Sequence, residues 1–116
     1  MICRMWHGWT SEANASAYKD FLLHELFPEV ERELRGQGYL GYDLLQTSRD
    51  AEVEFVTLLW FESLDAVRAF AGDLYEAPVI HEKAKKLLSH YDQRTDHFTV
   101  LGSHRLAGSG ANRGST

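Results

Sequence analysis

The 116 residues contain one cysteine, Cys3, and two prolines. A lone cysteine closes no disulfide within the chain, and the N-terminus lacks a charged region leading into a long apolar run and a cleavage site, so the expected compartment is the cytoplasm. No apolar stretch approaches the ~20 residues that a membrane-crossing helix needs. A basic excess is missing too: 12 Lys and Arg stand against 17 Asp and Glu, a formal charge of −5. Binding a phosphate backbone depends on clustered Lys and Arg, so nucleic acid is not an expected partner. Without a Gly-rich phosphate loop, a Cys pair or a Ser-centred nucleophile motif, nucleotide cofactors and covalent hydrolysis are disfavoured. His81, His90 and His104 lie in helical, junction and tail contexts without the close pairing and carboxylate company of a divalent site, so no metal and no cofactor are expected. His24, beside Glu25 on a helix, reads as solvated.

What is present is the profile of one soluble domain, with 44% hydrophobic and 25% charged residues. Met1 to Thr10 is rich in large apolar and aromatic residues and reads as a first strand. Thr10 or Ser11 then caps a helix whose first turn carries Glu12. Tyr18, Phe21, Leu22, Leu26, Val30 and Leu34 recur at intervals of three and four, which predicts one apolar stripe lying on a sheet. Pro28 lacks an N–H and clashes with the preceding turn, so the helix is expected to kink or restart near Phe27 and to end at Gly36 and Gly38. Tyr39 to Thr47 and Glu52 to Phe61 read as a hairpin around Ser48 to Ala51. In its second strand Val53, Phe55, Thr57, Leu59 and Phe61 alternate with Glu54, Val56, Leu58 and Trp60, so beyond Glu54 both faces are apolar. Helices can cover one face and a second copy of the chain the other, which predicts a homodimer. Ser63 and Asp65 start a second helix running to Gly72, Pro78 opens a further turn or short helix, and Thr95 to Leu101 is the last strand. The order strand, helix, two strands, helix, strand is the split βαβ arrangement, an α+β ferredoxin-like βαββαβ domain with one antiparallel sheet. Residues 1–102 form this domain. Residues 103–116, Gly- and Ser-rich and without periodicity, read as a flexible tail.

With the elements placed, the chain resembles the antibiotic-biosynthesis monooxygenase family of the dimeric α+β barrel superfamily. The resemblance spans about residues 2 to 101. It rests on Ile2, Arg4, Trp6, His7, Gly8, Trp9 and Thr10, on Gly38-Tyr39-Leu40-Gly41, on Trp60 to Ser63 with Val67, Phe70, Ala71 and Gly72, and on Asp96-His97-Phe98. It implies a ferredoxin-like monomer that dimerises through its sheet, with a ligand cavity between sheet and helices. It also implies one of several cases: cofactor-independent oxygenation of phenolic rings to quinones, haem degradation, or membership among the many relatives with no established activity. The sequence departs from both chemistries. Phe61 takes the place of the quinone-forming enzymes' pocket tryptophan, with Trp60 one residue off and so on the other face of its strand. The only asparagines are Asn14 and Asn112, neither on the corresponding strand. The haem degraders' strand-one asparagine and helical Trp and His are also unmatched.

Two histidines are candidate catalytic groups. His7 lies between Trp6 and Gly8, where the glycine would let a ligand or another backbone approach, and a neutral imidazole can orient a phenol and accept its proton. The alternative is a histidine hydrogen-bonded at the sheet face or dimer interface. His97 has the same two readings, and Asp96, pointing to the opposite face, cannot be its partner. Trp6, Trp9, Trp60, Phe61 and Tyr75 are candidate ligand-binding residues, since flat rings favour flat ligands, against a purely core role. Cys3 reads as a packing residue. The function expected is cofactor-independent oxygenation of a small aromatic, phenolic molecule. The alternatives are a non-catalytic small-molecule-binding or structural dimer and, third, haem handling.

Overall fold

A computed structural model of the chain describes residues 1–106. Strand β1 (Ile2–Ser11) leads into helix α1 (Glu12–Phe21), a π-helical turn (Leu22–Leu26) and helix α2 (Phe27–Leu34). The hairpin of β2 (Tyr39–Arg49) and β3 (Glu52–Phe61) follows, then α3 (Leu64–Ala71), α4 (Glu82–Leu87) and two short strands, β4 (His90–Tyr91) and β5 (Asp96–Thr99). All pairings are antiparallel. The sheet runs β2, β3, β1, with β4 and β5 one after the other along the far edge of β1. The fold is α+β and ferredoxin-like, with the sheet of the single chain open rather than closed into a barrel.

Local chemistry explains the boundaries. Ser11 is the first cap, its Oγ accepting the Asn14 N–H at 3.2 Å, while Thr10 is fully buried and donates to the Leu87 carbonyl at 2.6 Å. Ser63 caps α3 in the same way through the Ala66 N–H. At Pro28 the expected break is a change of helical pitch. The Phe27 N–H bonds the Leu22 carbonyl five residues back, and the α-helix restarts with Pro28 in its first turn, where no N–H is needed. The apolar stripe therefore steps from Leu22 to Phe27 and leaves Leu26 only partly buried. The hairpin is tighter than its sequence implies: β2 continues to Arg49, and the two connecting residues, Asp50 and Ala51, both take positive φ (51° and 64°), the geometry that matches strand twist.

The register fixes the two faces. Ile2, Arg4, Trp6, Gly8 and Thr10 pair with Phe61, Leu59, Thr57, Phe55 and Val53 and face the helices. There Tyr18, Phe21, Leu22, Phe27, Val30 and Leu34 close the core over Val53, Phe55, Leu59 and Phe61. Cys3, Met5, His7 and Trp9 lie on the opposite, open face with Trp60, Leu58, Val56 and Glu54. Leu45 and Phe98 on that face are each 49% exposed, so an apolar sheet surface stands uncovered in the single chain.

The last strand expected over Thr95 to Leu101 is β5, shorter at both ends, and β4 precedes it along the same edge. Between Tyr91 (opposite Gly8) and Asp96 (opposite Met5) two extra residues bulge out. Asp92 fastens the bulge: its N–H donates to the His7 carbonyl at 3.0 Å and its carbonyl accepts the Trp6 indole N–H at 2.9 Å. Residues 103–106 lie outside regular elements, and the rest of the predicted tail, 107–116, lies outside the described residues. Among the described residues no helix is long and apolar enough to cross a membrane.

Candidate functional site

Between the helix-facing side of the sheet and the helices lies a cavity of about 580 Å³. Its walls are mostly apolar and aromatic, with Trp6, Tyr18, Leu22, Phe27, Leu59 and Phe70 contributing. Burial pushes the Tyr18 hydroxyl above the ordinary tyrosine range, so it stays a neutral donor. Glu29 and Glu33, both exposed, stand at the rim on α2.

The polar feature of this wall is Arg4, 4% exposed. Strand alternation turns it inward beside Trp6, and the segment between α3 and α4 folds across it. Its Nη1 donates to the Tyr75 carbonyl at 2.7 Å and lies 3.0 Å from His97 Nε2, and Nη2 donates to the Ala77 carbonyl at 3.4 Å. The guanidinium carbon sits 5.3 Å from the centre of the Phe70 ring. No carboxylate bonds it among the described residues. Glu76, the nearest acid along that segment, is paired with Arg94 at 3.2 Å. Burial lowers the Arg4 pKa to about 10, which leaves it a cation at neutral pH. Thr95, 2% exposed, also lines the cavity. Its N–H donates to the Glu76 carbonyl, and its hydroxyl has no hydrogen-bond partner among the described residues.

The structure divides the residues singled out in the sequence. Trp6 lines the cavity, its indole held by Asp92. Phe61 is wholly buried in the core, its ring between Tyr39 and Phe70. Tyr75 and His97 share the helix-facing side but open on an adjoining hollow, rings edge to face at 5.0 Å. Since an arginine only donates, the contact with Arg4 makes His97 Nε2 the acceptor and places the ring proton on Nδ1. Burial first, and Arg4 second, lower the His97 pKa, which keeps the ring neutral. His7, Trp9 and Trp60 lie on the open face. His7 Nδ1 is 2.6 Å from Asp92 Oδ2, which also accepts the His7 backbone N–H at 3.0 Å. Trp9 stacks between His7 and His90, centroids 5.8 and 4.6 Å away, and Trp60 donates to Asp43 at 2.8 Å. Gly8 makes room for the Leu88 side chain, which an added Cβ would meet at 3.1 Å. Cys3 is buried, and burial followed by Asp43 raises its thiol pKa, the opposite of an activated nucleophile. No cluster of three or more His, Cys, Asp or Glu side chains that could hold a metal occurs among the described residues.

Arg4, Thr95 and Asp92 are the residues that sequence reasoning did not single out for a site. For Arg4 a signal existed: it occupies the same alternating face as Trp6, Gly8 and Thr10. A charge in that series is buried.

No protein-family model matches the chain, and no curated protein matches it. Solved structures do. A Bacillus cereus protein classed with the antibiotic biosynthesis monooxygenases is similar at a TM-score of 0.63 and 13% identity, covering 93% of this chain and 98% of that one. A dimeric ferredoxin-like protein from an uncultured marine organism gives 0.65 and 12%, covering 91% of each chain. The haem degrader MhuD from Mycobacterium tuberculosis, with two haems bound in its active site, gives 0.53 and 17%, covering 90% of this chain and all of that one (100%). At such identities the likeness is one of backbone architecture. The chain thus has the ferredoxin-like α+β fold of the antibiotic biosynthesis monooxygenase type.

Proposed function

We propose that the chain acts as a homodimer, paired through its open sheet face, that binds a small phenolic aromatic molecule in the cavity between sheet and helices and oxygenates it without a cofactor. The observation that carries this reading is an aromatic-walled cavity with a buried, carboxylate-free cation in its wall. Flat aromatic walls favour a flat ligand. A guanidinium beside a phenol stabilises the phenolate, as any opposite charge lowers the pKa of an acid. A phenolate is electron-rich enough to give an electron to O₂. Bonding of one oxygen atom to the ring carbon para to the phenolate, cleavage of the O–O bond and loss of two hydrogens then yield a quinone and one water. The phenol supplies all the electrons. His97 acts in this scheme through Arg4, which it helps to hold in place, and the phenolic proton leaves to water.

A second reading, a dimer that binds such a molecule without turning it over, is favoured by how the histidines are used. His7 is tied to Asp92 on the far face, His97 Nε2 is occupied by Arg4, and His81 at the cavity edge accepts the Lys83 N–H on Nδ1. Oxygen uptake with 1-naphthol as probe, beside thermal shift, tests the proposal. Naphthoquinone formation with one O₂ consumed per product supports oxygenation. A raised melting temperature without oxygen uptake supports the second reading, and no shift with any phenol overturns both.

A further inference from the structure

The cavity holds a buried charge that no carboxylate bonds among the described residues, and that asymmetry says more about the ligand than its aromatic walls do. Resting on the cavity being the binding site, and on the second reading above, in which no phenolate claims Arg4, we infer that its ligand is an aromatic carboxylate, the acid group docking on Arg4 and Thr95.

The donors of Arg4 are divided in a telling way. Nη1 spends both of its N–H groups, on the Tyr75 carbonyl and on His97, and Nη2 spends one on the Ala77 carbonyl. The Nε–H and one Nη2–H are left without an acceptor among the described residues. These donors sit on two nitrogens of one planar group, the arrangement that the two oxygens of a carboxylate engage together. The three groups already bound are neutral, so they orient the guanidinium without neutralising it. A phosphate would match the charge but carries it on a bulky tetrahedral group. A flat carboxylate conjugated to a ring suits a cavity walled by Trp6, Phe27 and Phe70.

Thr95 is the second observation, independent of the first. Its buried hydroxyl lacks any partner among the described residues, and a hydroxyl in that state is costly unless something binds it. It lines the same cavity as Arg4. A carboxylate oxygen is the acceptor it lacks. Charge order along the cavity fits the same ligand: the cation is buried, whereas Glu29 and Glu33 are exposed. An acid is favoured at the buried end and disfavoured at the rim, so the bound ligand holds its acid group inside and leaves its ring toward α2.

The test compares 2-naphthoate with 2-naphthamide, nearly the same shape with and without the charge, by calorimetric titration of the full chain at neutral pH. The naphthoate is expected to bind at least ~10-fold more tightly, the usual worth of charge-assisted hydrogen bonds. Arg4→Gln brings the ratio near one, while Arg4→Lys, keeping charge but not the planar fork, leaves an intermediate value. Thr95→Val removes a hydroxyl that bonds nothing in the free protein, so a merely structural residue would leave affinity alone. Here naphthoate binding falls about 5-fold, naphthamide binding is unchanged, and the melting temperature does not drop. This variant keeps the test decisive if Arg4→Gln does not fold. Equal affinity for the two probes in the wild type, or an unchanged preference in both Arg4→Lys and Thr95→Val, overturns the carboxylate assignment while the aromatic cavity stands. If neither probe binds, the cavity reading fails and the assignment falls with it.

Discussion

His7 and Asp92 offer the sharpest separation of a structural from a catalytic histidine. The Asp92 side chain accepts two hydrogen bonds from His7, at 3.0 Å from the backbone N–H and 2.6 Å from Nδ1. The Asp92 backbone contributes two more, to the His7 carbonyl and from the Trp6 indole, and those survive any side-chain change. Asp92→Ala therefore loses two bonds to a carboxylate, each worth ~1.5–3 kcal/mol where water is excluded. Here the His7 and Asp92 side chains are 27% and 29% exposed, so water recovers part of the loss. The net cost should be ~2 kcal/mol, a fall of about 8 °C in melting temperature for a domain of this size. His7→Gln forfeits only the Nδ1 bond and should cost ~1 kcal/mol. In the double variant that bond is already gone, so a double-mutant cycle by urea denaturation should give a coupling of ~1 kcal/mol. Because His7 faces away from the cavity, the affinity of the folded variants for a naphthol or naphthoate probe should stay within about 2-fold of wild type. Strictly additive stabilities would refute the clamp. A folded His7→Gln protein with ~10²-fold lower turnover and unaltered stability would show instead that His7 works on the substrate.

Three further outcomes follow from named contacts. Leu58→Asp, on the uncovered sheet face, should convert the dimer to a monomer in sedimentation at micromolar concentration with helix content retained; a wild type already monomeric would remove that face from assembly. His97 has its folded-state pKa depressed below the unfolded value of ~6.5, so its neutral form stabilises the fold above that pH and the contribution is lost as pH falls through the folded value. The melting temperature should thus fall between pH 7 and pH 5, less steeply in His97→Gln, and parallel slopes would contradict the assignment. Gly38 has φ 91° and a Cβ there would lie 2.6 Å from the Ala66 Cβ, whereas Gly36 (φ 79°) has open space. Gly38→Ala should therefore cost ~2–4 kcal/mol in chemical denaturation and Gly36→Ala ~1 kcal/mol, with equal losses refuting the packing argument.

The fold was readable because the patterns are redundant. The strand apolar on both faces beyond Glu54 and the cap at Ser63 reach the structure as read, Ser11 rather than Thr10 is the first cap, and the stripe from Tyr18 to Leu34 keeps its buried face with a shift of phase at the π-helical turn. The site was less so, since strand alternation says that Trp6 and His7 oppose each other but not which of them meets the helices. That choice is made by Val53, Phe55, Leu59 and Phe61 across the register, a long-range pairing invisible in either segment alone. Arg4 is harder still, because its meaning rests on what is absent around it: a carboxylate that neither Glu76, spent on Arg94, nor Asp96, on the far face, provides. β4 escaped notice because two residues carry no periodicity, and the bulge at Asp92 is held by tertiary bonds rather than by turn chemistry.

The π-helical turn has a further meaning, for how this chain can change by insertion and deletion. Phe27 stands five residues after Leu22 on one buried face, where an uninterrupted α-helix would use four, so the helix holds one residue more than its stripe requires. Removing Leu23 alone would put Phe27, Val30 and Leu34 back in α-helical phase with Tyr18 and Leu22. It would also move Pro28 from the first turn of a restarted helix into the interior of a continuous one, at a cost of ~3 kcal/mol. The spare residue and the proline are therefore coupled: losing the residue while Pro28 stays is harmful, and a chain that also replaces Pro28 recovers a straight helix over the same cavity.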